Sequence, residues 1–80
     1  MLNIAAIFKT GETHKILILR EKQEGGFVLR MTNVVRGRTS TTYLGYSSYL
    51  SQITISWMTH YTQLNLAQNG SFFSQNGGDV

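Results

Sequence analysis

Apolar residues fall in short runs through the first half of the chain, and each run ends at a cluster of turn formers. Asn3–Lys9 stops at Thr10-Gly11-Glu12-Thr13, and His14–Arg20 stops at Glu21-Lys22-Gln23-Glu24-Gly25-Gly26. Phe27–Val35 stops at Arg36-Gly37, which leads into Arg38–Leu44. Runs of this length, rich in Ile, Leu, Val and Thr and bounded by Gly-containing turns, predict strands. Connections this short join antiparallel neighbours, so the pattern predicts a four-stranded antiparallel meander.

The second half changes period. From Ser47 to Gln68 there is no Gly or Pro, and Leu50, Ile53, Trp57, Tyr61 and Leu64 recur at three- and four-residue steps. That spacing places them on one side of a helix laid on one sheet face, with Ser47 or Ser48 as its cap. Ile53, Ile55, Trp57 and Tyr61 also fit a period of two, and Thr54, Ser56, Thr59 and Thr62 are weak helix formers. The expected fold is therefore α+β, a meander with one C-terminal helix packed on one face. An all-β chain with residues 52–62 as a fifth strand is the alternative. Residues 1–68 form the single domain, and residues 69–80 read as a flexible tail in which Phe72-Phe73 is the candidate anchor.

The turns imply a register, and register sorts side chains onto faces. Pairing Thr10 with Thr13, Arg20 with Phe27, and Val35 with Arg38 gives one face with Ala5, Ile7, Ile16, Ile18, Phe27, Leu29, Met31, Val35 and Leu44. This is the expected core. The opposite face then mixes Ile4, Phe8, Leu17, Leu19, Val28 and Val34 with Lys15, Arg30, Thr32, Thr39, Thr41 and Tyr43. Such a mixture is more than a merely solvated face carries.

Composition narrows the function classes. The chain has 80 residues, 41% of them apolar, with no Cys and no Pro, as suits one small folded domain without disulfides. Its apolar N-terminal stretch ends at Lys9, too short for a signal peptide or a membrane span, so a cytoplasmic protein is expected. Net charge is only +3, but its distribution is uneven. All Lys and Arg lie within residues 9–38, whereas residues 39–78 contain no Lys, Arg, Asp or Glu. That half reads either as hydroxyl-rich surface or as surface that lies against a partner.

Candidate chemistry is sparse. Glu12, Glu21, Glu24 and Asp79 fall in expected turns or the tail, and His14 and His60 stand apart. No acid–base pair, nucleophile motif or metal-ligand spacing emerges, so neither an enzyme nor a cofactor is expected. The basic groups are the better lead. Lys15, Arg30, Arg36 and Arg38, with Thr32 and with Tyr43 opposite Arg30, form a candidate surface for a protein partner or nucleic acid.

Two family resemblances bear on that surface. "GGFVLRMTNVVRGRTSTTYLGYSSYL" resembles the three-strand-plus-helix pattern of integrase-arm and plant ethylene-response-type DNA-binding domains, with Arg30, Arg36, Arg38, Leu44, Gly45 and Ser47 in the matching places. That resemblance implies a sheet lying in the major groove. "KILIL" with "LRMTNVVRGRTS", within the span Lys15 to Trp57, is similar to a small phage anti-CRISPR family of the type I-F inhibitor class through Arg30, Asn33, Val34, Val35 and Gly37. That resemblance implies a non-enzymatic inhibitor that binds a surveillance complex and blocks target DNA. Thr32, and Leu19 or Arg20, stand where such inhibitors carry acidic and aromatic contact groups. The leading expectation is a phage or mobile-element inhibitor of a host nucleoprotein complex. Direct DNA or single-strand binding and self-association, as a homodimer for instance, are the alternatives.

Overall fold

The computed structural model describes residues 1–67 and 69–76, with side chains described for residues 1–67. Its elements are β1 (Leu2–Thr10), β2 (Thr13–Glu21), β3 (Phe27–Val35), β4 (Arg38–Ser47), α1 (Leu50–Ala67) and β5 (Asn69–Asn76). The four-stranded antiparallel meander and the C-terminal helix are as expected. One strand is added: β5 pairs antiparallel with β1, giving the order β4-β3-β2-β1-β5. Residues 69–76 are thus ladder rather than tail. Residues 77–80 and the side chains of Phe72 and Phe73 lie outside the described residues.

Two of the three expected registers hold. Thr10 pairs with Thr13, and Val35 pairs with Arg38. The latter hairpin turns through Arg36 at φ 52° and Gly37 at φ 77°. Two successive positive φ values match the right-handed twist of the strands, as in a type I′ turn. At the far end of that hairpin a bulge intervenes: Arg30 faces Tyr43 but Leu29 faces Gly45, leaving Leu44 as the extra residue.

The third register is one residue off. Phe27 pairs with Glu21, not Arg20, because Glu21 stays in the ladder. A compact turn holds it there: the Lys22 N–H donates to the Gly26 carbonyl at 2.9 Å, and the Gly25 N–H donates to the Lys22 carbonyl at 3.0 Å. One residue of slip turns every side chain of a strand to the other face. β1 and β2 are therefore inverted, as a unit, relative to the expected core.

Packing is consistent with that inversion. Ala6, Phe8, Leu17, Leu19 and Leu29 are buried with Ile53 and Trp57 of α1, and Leu2, Ile4, Phe27, Met31, Leu44, Tyr61 and Leu64 pack around them. Phe27, Leu29, Met31 and Leu44 thus lie on the core side as expected. Ala5, Ile7, Ile16 and Ile18 do not: they alternate with the core residues and occupy the opposite face. Val35 is exposed at the hairpin end. The largest side chains meet beneath the helix, where Phe8 lies edge-on to Tyr61 at 5.5 Å and Tyr61 stacks on Trp57 at 6.1 Å.

α1 resolves the ambiguity between the two periods. Tyr49 accepts the first helical bond, from the Ile53 N–H. The Ser47 hydroxyl oxygen accepts the Tyr49 N–H at 3.1 Å while its O–H donates to Gln52 Oε1 at 2.9 Å, securing the entry. The weak helix formers are accommodated by bonds back to the preceding turn. Thr54 donates to the Leu50 carbonyl and Thr59 to the Ile55 carbonyl, at 2.7 and 3.0 Å. Ile53 is 2% exposed and Ile55 67% exposed, a contrast that a strand of period two would not produce.

That contrast is measurable. Ile53→Ala should cost about 2–5 kcal/mol in urea unfolding, through lost burial and a residual cavity. Ile55→Ala should change stability by no more than about 0.5 kcal/mol. Equal losses would contradict the helical phase.

Candidate partner-binding face

Register also defines the face that α1 does not cover. Across β1, β2, β3 and β4 its rows read Asn3, Arg20, Val28, Tyr46; then Ala5, Ile18, Arg30, Tyr43; then Ile7, Ile16, Thr32, Thr41; then Lys9, His14, Val34, Thr39. Ile7, Ile16, Ile18, Val28 and Val34 are half-buried by their neighbours in the sheet and form an apolar centre. Among the described residues no helix or second sheet lies over it. Cations and phenols frame this centre, and Tyr43 is 71% exposed.

The expected site residues do not share one surface. Arg30, Thr32 and Tyr43 do lie together: Arg30 is directly opposite Tyr43, and the Thr32 and Thr41 hydroxyls are hydrogen-bonded at 3.3 Å. Lys15 does not join them. It stands between Phe8 and Asn33 on the helix-covered side, because β2 is inverted relative to the expected register. Arg38 faces Val35 in the next row of that same side. Arg36 occupies the hairpin tip, where its Nε is 3.4 Å from Glu12 Oε2. That pair ties the β3–β4 turn to the β1–β2 turn, and both partners are well exposed.

The same register adds a residue that the expected set lacked. Arg20 points to the uncovered face, two rungs along the ladder from Arg30. Both arginines line a shallow hollow of about 440 Å³, together with Met1, Lys22, Val28 and Tyr43. Glu21, Gln23 and Glu24 complete its rim. Arg30 Nε is buried and has no hydrogen-bond partner among the described residues. The signal for Arg20 was its alternation with Ile16 and Ile18, readable only once the face of β2 is known.

No family model, curated protein or solved structure matches the chain. The functional reading therefore rests on this surface and its chemistry.

Electrostatics around the hollow are local. A backbone hydrogen bond, then a hydrogen bond and charge attraction from Lys22, hold the Glu24 carboxyl below the usual carboxylate range. Lys22 Nζ lies 3.4 Å from Glu24 Oε1. The Glu21 carboxylate accepts the Leu2 N–H at 2.9 Å. Among the described residues no three His, Cys, Asp or Glu side chains come together as a metal centre would need. No helix among them is long and apolar enough to cross a membrane. The face thus offers an apolar centre for burial, guanidinium groups for anions, and hydroxyls and phenols for hydrogen bonding.

Tyr46 also closes one end of the face, over the β2–β3 turn. Its ring occupies the space that a side chain at Gly26 would need, and Gly26 has φ 85°. Gly26→Ala should therefore lose about 1–3 kcal/mol of stability, from backbone strain and displacement of the ring. Glu12→Gln, which breaks an exposed ion pair, should lose no more than about 1 kcal/mol. Thermal or urea unfolding of both variants separates the two effects.

Proposed function

We propose that this chain is a non-enzymatic binding protein, a small phage or mobile-element inhibitor of the anti-CRISPR kind that docks on a host nucleoprotein complex in the cytoplasm. The observation that carries the reading is the uncovered sheet face, with Ile7, Ile16, Ile18, Val28 and Val34 at its centre. Apolar surface in contiguous rows is costly to leave in water, and a partner that covers it gains the corresponding burial free energy. Arg30, Thr32 and Tyr43 supply polar contacts beside that centre. Arg36 at the tip extends the contact along the hairpin whose residues carry the anti-CRISPR resemblance. Lys15 and Arg38, on the other side, take no part in this contact.

The reading favours a protein surface of the complex over bare DNA. A net charge of +3 supports few phosphate contacts, and two of the basic side chains, Lys22 and Arg36, already pair with glutamates. The test is inhibition itself. Added to a purified type I-F surveillance complex, the chain should block target-DNA binding in a gel-shift assay. Val34→Asp, on the uncovered face, should weaken that block by about tenfold or more. Undiminished target binding in the presence of the chain would refute the reading. Salt-sensitive binding to free DNA would favour the DNA-binding alternative.

A second reading, self-association, draws support from β4. It is an edge strand of the sheet, its residues Arg38–Tyr43 are all exposed, and beyond Arg38 it carries no charge. Edge strands of this length usually carry charges, Pro or a cover that discourages pairing with another chain. If β4 pairs with its copy, light scattering gives a dimer and Thr41→Lys returns a monomer. A monomer at high concentration removes this reading.

A further inference from the structure

We infer that Arg20 and Arg30, with Tyr43 beside them, form an anion subsite on the uncovered face that receives a carboxylate side chain of the docking protein. The inference rests on the reading of that face as a docking surface and names the chemistry its partner must bring. Arg20 faces Val28 and Arg30 faces Ile18, so the two guanidinium stems rise from adjacent strands as diagonal neighbours. Tyr43 stands directly across from Arg30 on β4, and all three line the same hollow of about 440 Å³.

The subsite lacks its counter-charge. Among the described residues neither Arg20 nor Arg30 forms an ion pair, although two other basic side chains do. The glutamates nearby are committed elsewhere, Glu24 to Lys22 and Glu21 to the Leu2 N–H. Arg30 Nε is withdrawn from water with no acceptor. Two neighbouring cations on an apolar face repel each other, and a desolvated donor without an acceptor is unfavourable. An anion placed between the guanidinium groups relieves that repulsion, and a carboxylate matches their planar fork.

The surroundings decide between a carboxylate and a phosphate chain. Glu21 and Glu24 border the hollow. A phosphodiester backbone entering there would run its successive negative charges past these carboxylates. A single Asp or Glu side chain occupies only the centre. The apolar row of Ile16, Ile18 and Val28 beside it suits the neighbouring side chains of a protein segment, not sugar and phosphate.

Arginine Nε–Hε resonances test the assignment directly. Sodium glutarate is titrated into the isotope-labelled full chain at constant ionic strength, with sodium chloride as the control. A DNA oligonucleotide is titrated separately. Glutarate should shift the Arg20 and Arg30 signals saturably, whereas chloride should not. Arg30→Gln should weaken that binding about tenfold, with backbone spectra confirming the fold. If Arg30→Gln disturbs folding, Arg20→Gln provides the same comparison. Glutarate shifts no larger than those of chloride would overturn the subsite. Tighter saturable binding of DNA at the same two arginines would also overturn it, in favour of nucleic-acid contact. The titration needs no partner protein, so it can fail while Val34→Asp still weakens inhibition, and it can succeed when inhibition is absent.

Discussion

Glu21 opposite Phe27 is the pairing on which the two faces of this sheet depend. The turn from Lys22 to Gly26 closes with two backbone hydrogen bonds and keeps Glu21 in the ladder. From that point alternation does the rest: Leu17 and Leu19 fall on the same side as Leu29, and β1 follows through its own hairpin. Had the turn taken one more residue, the isoleucines of β2 would lie under the helix and the leucines outside. In the observed arrangement Phe8, Leu17 and Leu19 pack with Trp57 and Tyr61 beneath the helix, whereas the shifted one would turn Asn3, His14 and Arg20 toward it.

The two faces then acquire different roles. Beneath α1 the contacts are apolar and aromatic, and the helix approaches β4 closely enough that a side chain at Gly45 would touch Ile53. On the other face the apolar centre is only half-buried, and it is flanked by Arg20, Arg30 and Tyr43. Ile55, Met58 and Leu66, on the outer side of α1, are exposed as well. The charge-free stretch from residue 39 to residue 78 thus maps to an edge strand, a helix and β5, not to one buried layer. Its poverty in charge describes surface as much as core.

Candidate residues were legible to the extent that local pairing governs them. Arg30 opposite Tyr43 follows from the Arg36-Gly37 hairpin alone, since neither the bulge nor the distant strands intervene between the turn and that pair. Lys15 and Arg20 belong to β2, and their faces depend on a six-residue turn region that permits two registers. Lys15 was thus expected beside Arg30 and lies on the other side, while Arg20 joins the site in its place. The bulge that frees Leu44 to pack inward likewise has no marker beyond the adjacent glycine.

By itself the amino-acid sequence determined the order of β1 to β4 and α1, two of the three hairpin registers, and the stripe Ile53, Trp57, Tyr61, Leu64 that binds the helix to the sheet. These are local properties: turn chemistry acts over two residues, and the helical period repeats within a few. Only the tertiary structure decided which face of β1 and β2 the helix covers, because both faces are apolar enough to be buried and only packing distinguishes them. It also turned residues 69–76 into a strand on β1. Pairing across the whole length of the chain leaves no periodic trace in eight polar and aromatic residues read alone. The uncovered face, and the arginines that frame it, follow from those two decisions.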